Sequence, residues 1–328
     1  MEKAIQDSED TWQQKRPRIG ISTCLLGESV RYDGQHKLDR FLRDTLGRYV
    51  EWVPVCPEVE CGLSVPREPM HLEGDPDAPR LVTVRTGKDL TDQMLEYARR
   101  RARELEDEDL CGFVFKSRSP SSGMTRIKVY DENGVPQKVG VGLFAGEFMD
   151  HFPLLPVEDD GRLHDPDLRE NFIERIFCLE RYRRQVKDDG GVAALVGFHA
   201  AQKMQLLAHH PEKLKTMGRL VARQDSTDEE EIFTRYEKLL MEALIERATP
   251  GKNANVLMHM MGYFNEDLSP DEKNELLEII SQYRRGDIPL VVPVTLVRHH
   301  VRKHREPYLK DQTYLNPHPI ELKLRNHA

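Results

Sequence analysis

The sequence lacks any run of about 18 apolar residues, so it offers no candidate for a membrane-spanning helix. Its first 16 residues, MEKAIQDSEDTWQQKR, hold acids and no apolar stretch of a secretory signal. The expectation is a cytoplasmic protein with a disordered tail over residues 1–16. A global basic field for nucleic acid is missing too, since 48 Lys+Arg stand against 56 Asp+Glu, a net charge of −8. Residues 161–328 hold 26 of each sign, so the acidic excess falls on residues 1–160 and binding must be argued from local patches. No Walker A loop occurs, and GVGLFAG is too loose for a dinucleotide fingerprint. Nor is there an internal repeat. Cysteine is scarce and odd in number (Cys24, Cys56, Cys61, Cys111, Cys178), which speaks against a disulfide framework and for metal ligation or catalysis.

What is present falls into two halves. RIGIST, VEWVPV, RLVTVR and GFVFK read as strands, and Leu38, Phe41, Leu42 and Leu46 recur at helical spacing. A helix is expected over residues 91–105, a hairpin around Asp131-Glu132-Asn133-Gly134, and an apolar stretch over residues 141–148. Alternating β and α elements predict a parallel, doubly wound, Rossmann-like sheet. The Pro/Asp/Gly-rich string PVEDDGRLHDPDL reads as a linker, which sets domains at residues 17–156 and 157–328. Beyond it the sequence turns helical: residues 168–186 are amphipathic, Ser226 and Glu229 form a capping box, and Ser269-Pro270-Asp271-Glu272 opens a further helix that runs to Gly286.

In such sheets chemistry gathers in loops beyond the carboxyl ends of the strands. Here those loops are TCLLGESVRYDG, CPEVECGLSVPRE and KSRSPSSG. Cys24 and Cys56 each end a predicted strand, and Cys61 follows five residues later, so thiolate ligation of an iron–sulfur cluster is weighed above burial as small apolar groups. Cys111 precedes its strand and Cys178 lies on an apolar helix face, and both read as structural. Glu58, two residues after Cys56, is placed to move protons on and off a substrate ring, against the plain alternative of a solvated loop acid. Arg31, Asp33, Arg67 and Lys116 suit an anionic or heteroaromatic ligand, although each alone is more often a structural ion pair. Ser117, Ser119, Ser121 and Ser122 offer hydroxyls and exposed N–H groups for carbonyl or phosphate oxygens.

The second half carries Arg284, Arg285, Arg298, Arg302, Lys303, Arg305 and Lys310 close together, with an earlier group at Arg181, Arg183, Arg184 and Lys187. Two basic groups in one helical domain make phosphate contacts as plausible as an ordinary solvated face. His299, His300 and His304 lack a third zinc ligand of defined position and read as solvated or RNA-facing.

The strings STCLLGESVRYDG, PVCPEVECGLSVPRE and KSRSPSSG together resemble the TudS-like thiouracil desulfidases, and the helical half resembles the YbgA-like domain often fused behind them. The fused arrangement is similar to the RudS-type tRNA 4-thiouridine desulfidases. That resemblance implies an α/β domain carrying a 4Fe–4S cluster on three cysteines with one iron open, and tRNA as substrate. Cys24 and Cys56 match two ligands by position, and Glu58 matches the motif glutamate, the acid/base. The third ligand normally stands in an SPSCG motif, where this sequence has Ser122. Cys61 is taken as its replacement, with Cys111 the weaker substitute, while Ser122 lines the pocket. The implied reaction is sulfur abstraction without net redox change: the open iron polarises the thiocarbonyl, water activated by Glu58 attacks the ring carbon, and hydrosulfide leaves. Ser119 or Ser121 would hold the base or the water, Lys116 would neutralise developing charge, and Arg298, Arg302 and Arg305 would contact tRNA. Two other readings fit the residues: a desulfidase of free thiouracil bases, and a non-catalytic iron–sulfur sensor that binds nucleic acid.

Overall fold

The computed structural model describes residues 16–188, 190–222 and 228–327. The expected tail, apart from Arg16, and Ser226 of the expected capping box lie outside them. Two compact units meet between Asp165 and Pro166.

The first unit contains eight strands among the described residues: β1 (Arg18–Ser22), β2 (Glu51–Val55), β3 (Met70–Glu73), β4 (Arg80–Thr83), β5 (Gly112–Phe115), β6 (Ile127–Tyr130), β7 (Pro136–Gly140) and β8 (Val157–Asp159). Three helices accompany them: α1 (Pro57–Glu60), α2 (Thr91–Glu104) and α3 (Leu143–His151). One sheet runs β2-β1-β5-β8 with every pair parallel. Its central strands are buried runs, as a sheet covered on both faces requires. Gly20 sits at the middle of β1 because a Cβ there would come within 2.1 Å of the Phe113 ring on the neighbouring strand. Phe113 and Phe115 in turn stack against Phe144 and Phe148 of α3, with ring centroids 4.6 Å apart for Phe113 and Phe148.

Three expectations change. RLVTVR does not join the parallel sheet; β4 pairs antiparallel with β3 in a second sheet, β4-β3-β6-β7. The Leu38–Leu46 pattern forms only short, irregular turns of helix at Phe41–Thr45 and Leu46–Arg48. The string read as a linker supplies β8, which pairs with β5 and buries Glu158 and Asp159. The apolar partner strand β5 decided its fate, and Asp-Asp-Gly marks only where β8 ends. The domain boundary therefore moves from residue 156 to 165.

The second unit is helical throughout its described residues, with α4 (Pro166–Tyr182), α5 (Gly191–His209), α6 (Pro211–Ala222), α7 (Glu229–Ile245), α8 (Pro250–Gly262), α9 (Pro270–Arg285) and α10 (Val291–His304). Ser269 and Glu272 form the expected capping box of α9, and Gly286 closes it at a φ of 82°. Met204, Leu257, Met260, Phe264, Leu276, Val297 and Tyr314 are among its buried core. One charged cluster is buried as well: Arg325 binds Glu174 at 2.8 Å and Glu170 at 3.3 Å, and His209 meets Glu174 at 3.2 Å.

Candidate metal centre and active site

The parallel sheet delivers three loops to one place. β1 ends at Ser22 and the chain tightens into a turn over Thr23–Leu26 that holds Cys24. β2 ends at Val55, and Cys56 becomes the N-cap of α1. Pro57 starts that helix, and Glu60 reaches back to accept the Cys56 N–H at 2.7 Å while also binding Tyr97 Oη at 2.7 Å. β5 ends at Phe115 and leads into the serine loop. The N-terminus of α3 holds that loop in place: Gly142 N donates to Gly123 O, Leu143 N to Pro120 O and Ala145 N to Ser121 O. A Cβ on Gly142 would lie 2.5 Å from Ser121 O, so only glycine lets helix and loop approach this closely.

A cavity of about 260 Å³ opens where the loops meet, walled by Cys24, Cys56, Glu58, Arg31, Arg67, Lys116, Ser119 and Ser122 among others. Its size falls just below the ~300–1,000 Å³ typical of drug-sized ligand sites, which suits one small ring. Glu58 is the hub. Its Oε1 accepts from Ser121 Oγ at 2.5 Å and from Ser119 Oγ at 3.4 Å. Its Oε2 faces Cys56 Sγ at 3.6 Å and Arg67 at 3.8 Å. Burial, and next the Glu58 charge, push the Cys24 thiol up to about 11 and the Cys56 thiol up to about 12. Arg67 Nε is buried on this wall with no hydrogen-bond partner among the described residues.

Several expected site residues sit differently. Cys61 caps the end of α1, donates its thiol to Glu58 O at 3.2 Å, and does not line the cavity. Burial raises its thiol as well. Asp33 is exposed off the cavity and pairs with Arg31 at 3.5 Å, so it orients Arg31 and has no wall of its own. Ser121 lies fully buried behind Glu58. Lys116 is not a free cation: its Nζ binds Asp160 at 2.7 and 3.1 Å and Ser117 Oγ at 3.0 Å. Asp160, which also accepts Ser117 N–H at 2.6 Å, escaped the sequence reading because it fell in the supposed linker. Its signal was position, directly after a strand that pairs with β5.

The family described as 2-thiouracil desulfurase matches residues 19–160. That match spans most of the first unit, which is similar to the family. A second family, described as a protein of unknown function (DUF1722), matches residues 203–319. The uncharacterized protein YbgA of Escherichia coli (strain K12) is 29% identical over 158 residues, covering 48% of this chain and 94% of its own. The uncharacterized protein YbbK of Bacillus subtilis (strain 168) is 29% identical over 110 residues, 32% of this chain and 72% of its own. Among solved structures, a 4Fe–4S-dependent thiouracil desulfidase, TudS, shares 30% identity over 46% of this chain and 95% of its own, with a TM-score of 0.38. The chain thus joins a TudS-like domain to a YbgA-like one.

In the helical unit the basic residues divide. The early group is structural: Arg181 is buried and donates to Pro317 O, Arg184 pairs with Glu180, and Lys187 and Arg183 share Glu237. His300 is buried, against the expected solvated position, and the half-buried His304 stacks on it beside Phe264. Of the late group, Lys303 pairs with Glu272 and Arg285 with Asp287. Arg302 and Arg305 are exposed, while Arg298 is half-buried, and burial, then Arg302, hold its guanidinium below the usual range.

Proposed function

We propose that the first unit removes sulfur from a thiolated uracil, with 4-thiouridine in tRNA as the substrate and hydrosulfide as the product. The observation that carries this is the meeting of two buried thiols, Cys24 and Cys56, with the Glu58 carboxylate on the wall of a one-ring cavity. Two soft donors and a neighbouring hydroxyl fit an iron–sulfur cluster, and a metal cation would relieve the cost of ionising thiols that burial pushes so far up. Cys24 and Cys56 would hold it, with Cys61 completing the set by giving up its bond to Glu58 O. When bound, a 4Fe–4S cluster with one open iron supplies a Lewis acid to the thiocarbonyl sulfur.

The chain's own groups supply the rest. Glu58, held by Ser121 and Ser119, takes a proton from water as its oxygen attacks the ring carbon. The carbon–oxygen bond forms, the carbon–sulfur bond breaks, and sulfur departs as hydrosulfide with no change in redox state. Arg67 Nε, which has no hydrogen-bond partner among the described residues, is placed to donate to a ring acceptor. Lys116 and Asp160 hold the serine loop at its start. Arg298, Arg302 and Arg305 of the helical unit would contact tRNA phosphates.

The test is anaerobic. Protein reconstituted with iron and sulfide is incubated with tRNA containing 4-thiouridine and, separately, with free 2-thiouracil. Loss of the thiobase with hydrosulfide release from tRNA supports the reading. Release from the free base alone moves the substrate to small thiobases, and a formed cluster with both substrates intact refutes desulfidation.

A further inference from the structure

A second cavity, of about 970 Å³, opens beside the first and shares Met70, Ser117, Arg118 and Pro120 with it. Four exposed cations line it: Arg118 at the loop, Arg126 before β6, Lys128 on β6 and Lys138 on β7. None has a carboxylate partner among the described residues, whereas Arg162 on the same wall pairs with Glu158.

Two features of the cations carry a cost that the fold alone does not repay. Lys128 and Lys138 stand directly opposite each other in the antiparallel β6–β7 ladder, where like charges destabilise. Arg118 and Arg126 adopt the left-handed backbone region, at φ of 61° and 53°, which non-glycine residues avoid. An anion spanning the groove would offset the first cost, and the second aims two guanidinium side chains from sharp bends. Tyr130, set edge-on to His71 at 4.9 Å, supplies an aromatic face on the same floor. The acid on the wall, Asp159, is committed to the Arg162 N–H, and the Arg162 side chain pairs with Glu158.

We infer that this groove is a track for the sugar–phosphate backbone of single-stranded RNA, which feeds one extruded base into the neighbouring cavity. A base must leave its stack to enter a one-ring pocket, and the flanking phosphates then need cations at the pocket's mouth. The inference rests on the desulfidation reading only for the identity of that base. It places RNA recognition on the family domain itself, in addition to the helical unit.

The experiment uses the full chain carrying Arg126→Ala, Lys128→Ala and Lys138→Ala together; Arg118 is spared because it also lines the first cavity. Binding to an unmodified single-stranded RNA oligonucleotide is measured by fluorescence anisotropy across a salt series. Three lost phosphate contacts should weaken binding about tenfold to a hundredfold near 0.1 M salt and flatten the log–log salt slope by about 2. Restoring charge with Lys128→Arg and Lys138→Arg should recover most of the affinity, and 2-thiouracil turnover should be unchanged. Unchanged RNA affinity and slope would overturn the inference, as would an equal fall in free-base turnover, which would tie these residues to the pocket instead. Since binding is read without turnover, a protein that releases no sulfur but still shows the loss would refute desulfidation and uphold the groove.

Discussion

Replacing Ser121 by alanine removes one oxygen, and the structure sets the size of the consequence. Ser121 is fully buried, and its hydroxyl is the shorter of two donors to Glu58 Oε1, 2.5 Å against 3.4 Å for Ser119. A hydrogen bond to a charged group contributes about 1.5–3 kcal/mol net. If that energy holds the carboxylate at its angle toward the attacking water, turnover falls roughly tenfold to a hundredfold, since about 1.36 kcal/mol corresponds to a factor of ten. The cluster should be intact, because Ser121 stands behind Glu58 and off the cavity wall. Ser119→Ala, which removes the longer bond, should cost only about threefold. The assay follows loss of thiocarbonyl absorbance in 2-thiouracil, with iron and sulfide content measured on the same sample. Ser121→Ala with full turnover and an intact cluster would refute the positioning argument. Loss of the cluster would show that Ser121 supports the metal centre instead.

Ser122→Cys returns a thiol to the cavity wall and should raise cluster content in a Cys61→Ser background; failure to do so, read by iron analysis, would separate Ser122 from the ligand set. Asp160→Asn frees Lys116 and loosens the serine loop, and we expect about tenfold lower turnover with the substrate KM rising, checked by steady-state kinetics. Arg325→Met strands the buried Glu174 and the half-buried Glu170 and should destabilise the helical unit by about 3–5 kcal/mol in denaturant unfolding. In the native chain burial pushes Glu174 up, but the hydrogen bond with His209 and the charge of Arg325 outweigh it and hold the carboxyl low. Burial, and next the Glu174 charge, already raise Glu170 to about 7, and removing the Arg325 charge pushes both carboxyls upward from their native values. A folded-state carboxyl that binds its proton more tightly than in the native chain costs stability as pH rises, so the variant's deficit should be larger at pH 8 than at pH 5. An equal deficit at both would refute the argument.

Local signals carried much of this to the surface of the sequence. Cys24 and Cys56 could be placed because each follows a short apolar run at a glycine or proline, and the helix over residues 91–105 because its apolar period is long. Contacts between distant residues left no such trace. Glu58 and Ser121 lie 63 residues apart and meet only because β2 and β5 both end beside β1. The second sheet was invisible because it joins β3 to β6 across more than fifty residues. Spacing put His300 and His304 on one face of α10 but not which face, and packing against Phe264 turned it inward. Cys61 shows the converse limit: its nearness in sequence suggested a ligand, and nothing in the sequence signalled that the end of α1 sets its thiol against a backbone carbonyl, a bond that ligation would have to break.

The central claim is hydrolytic removal of sulfur at the Glu58 cavity, and the most direct measurement is isotopic. The reconstituted protein is given 4-thiouridine-containing tRNA in water enriched in oxygen-18, and the product nucleoside is analysed by mass spectrometry alongside released hydrosulfide. One labelled oxygen in uridine for each sulfide released is the predicted result, and Glu58→Gln should abolish both together. Sulfide without label, or label and sulfide undiminished in Glu58→Gln, would contradict the account.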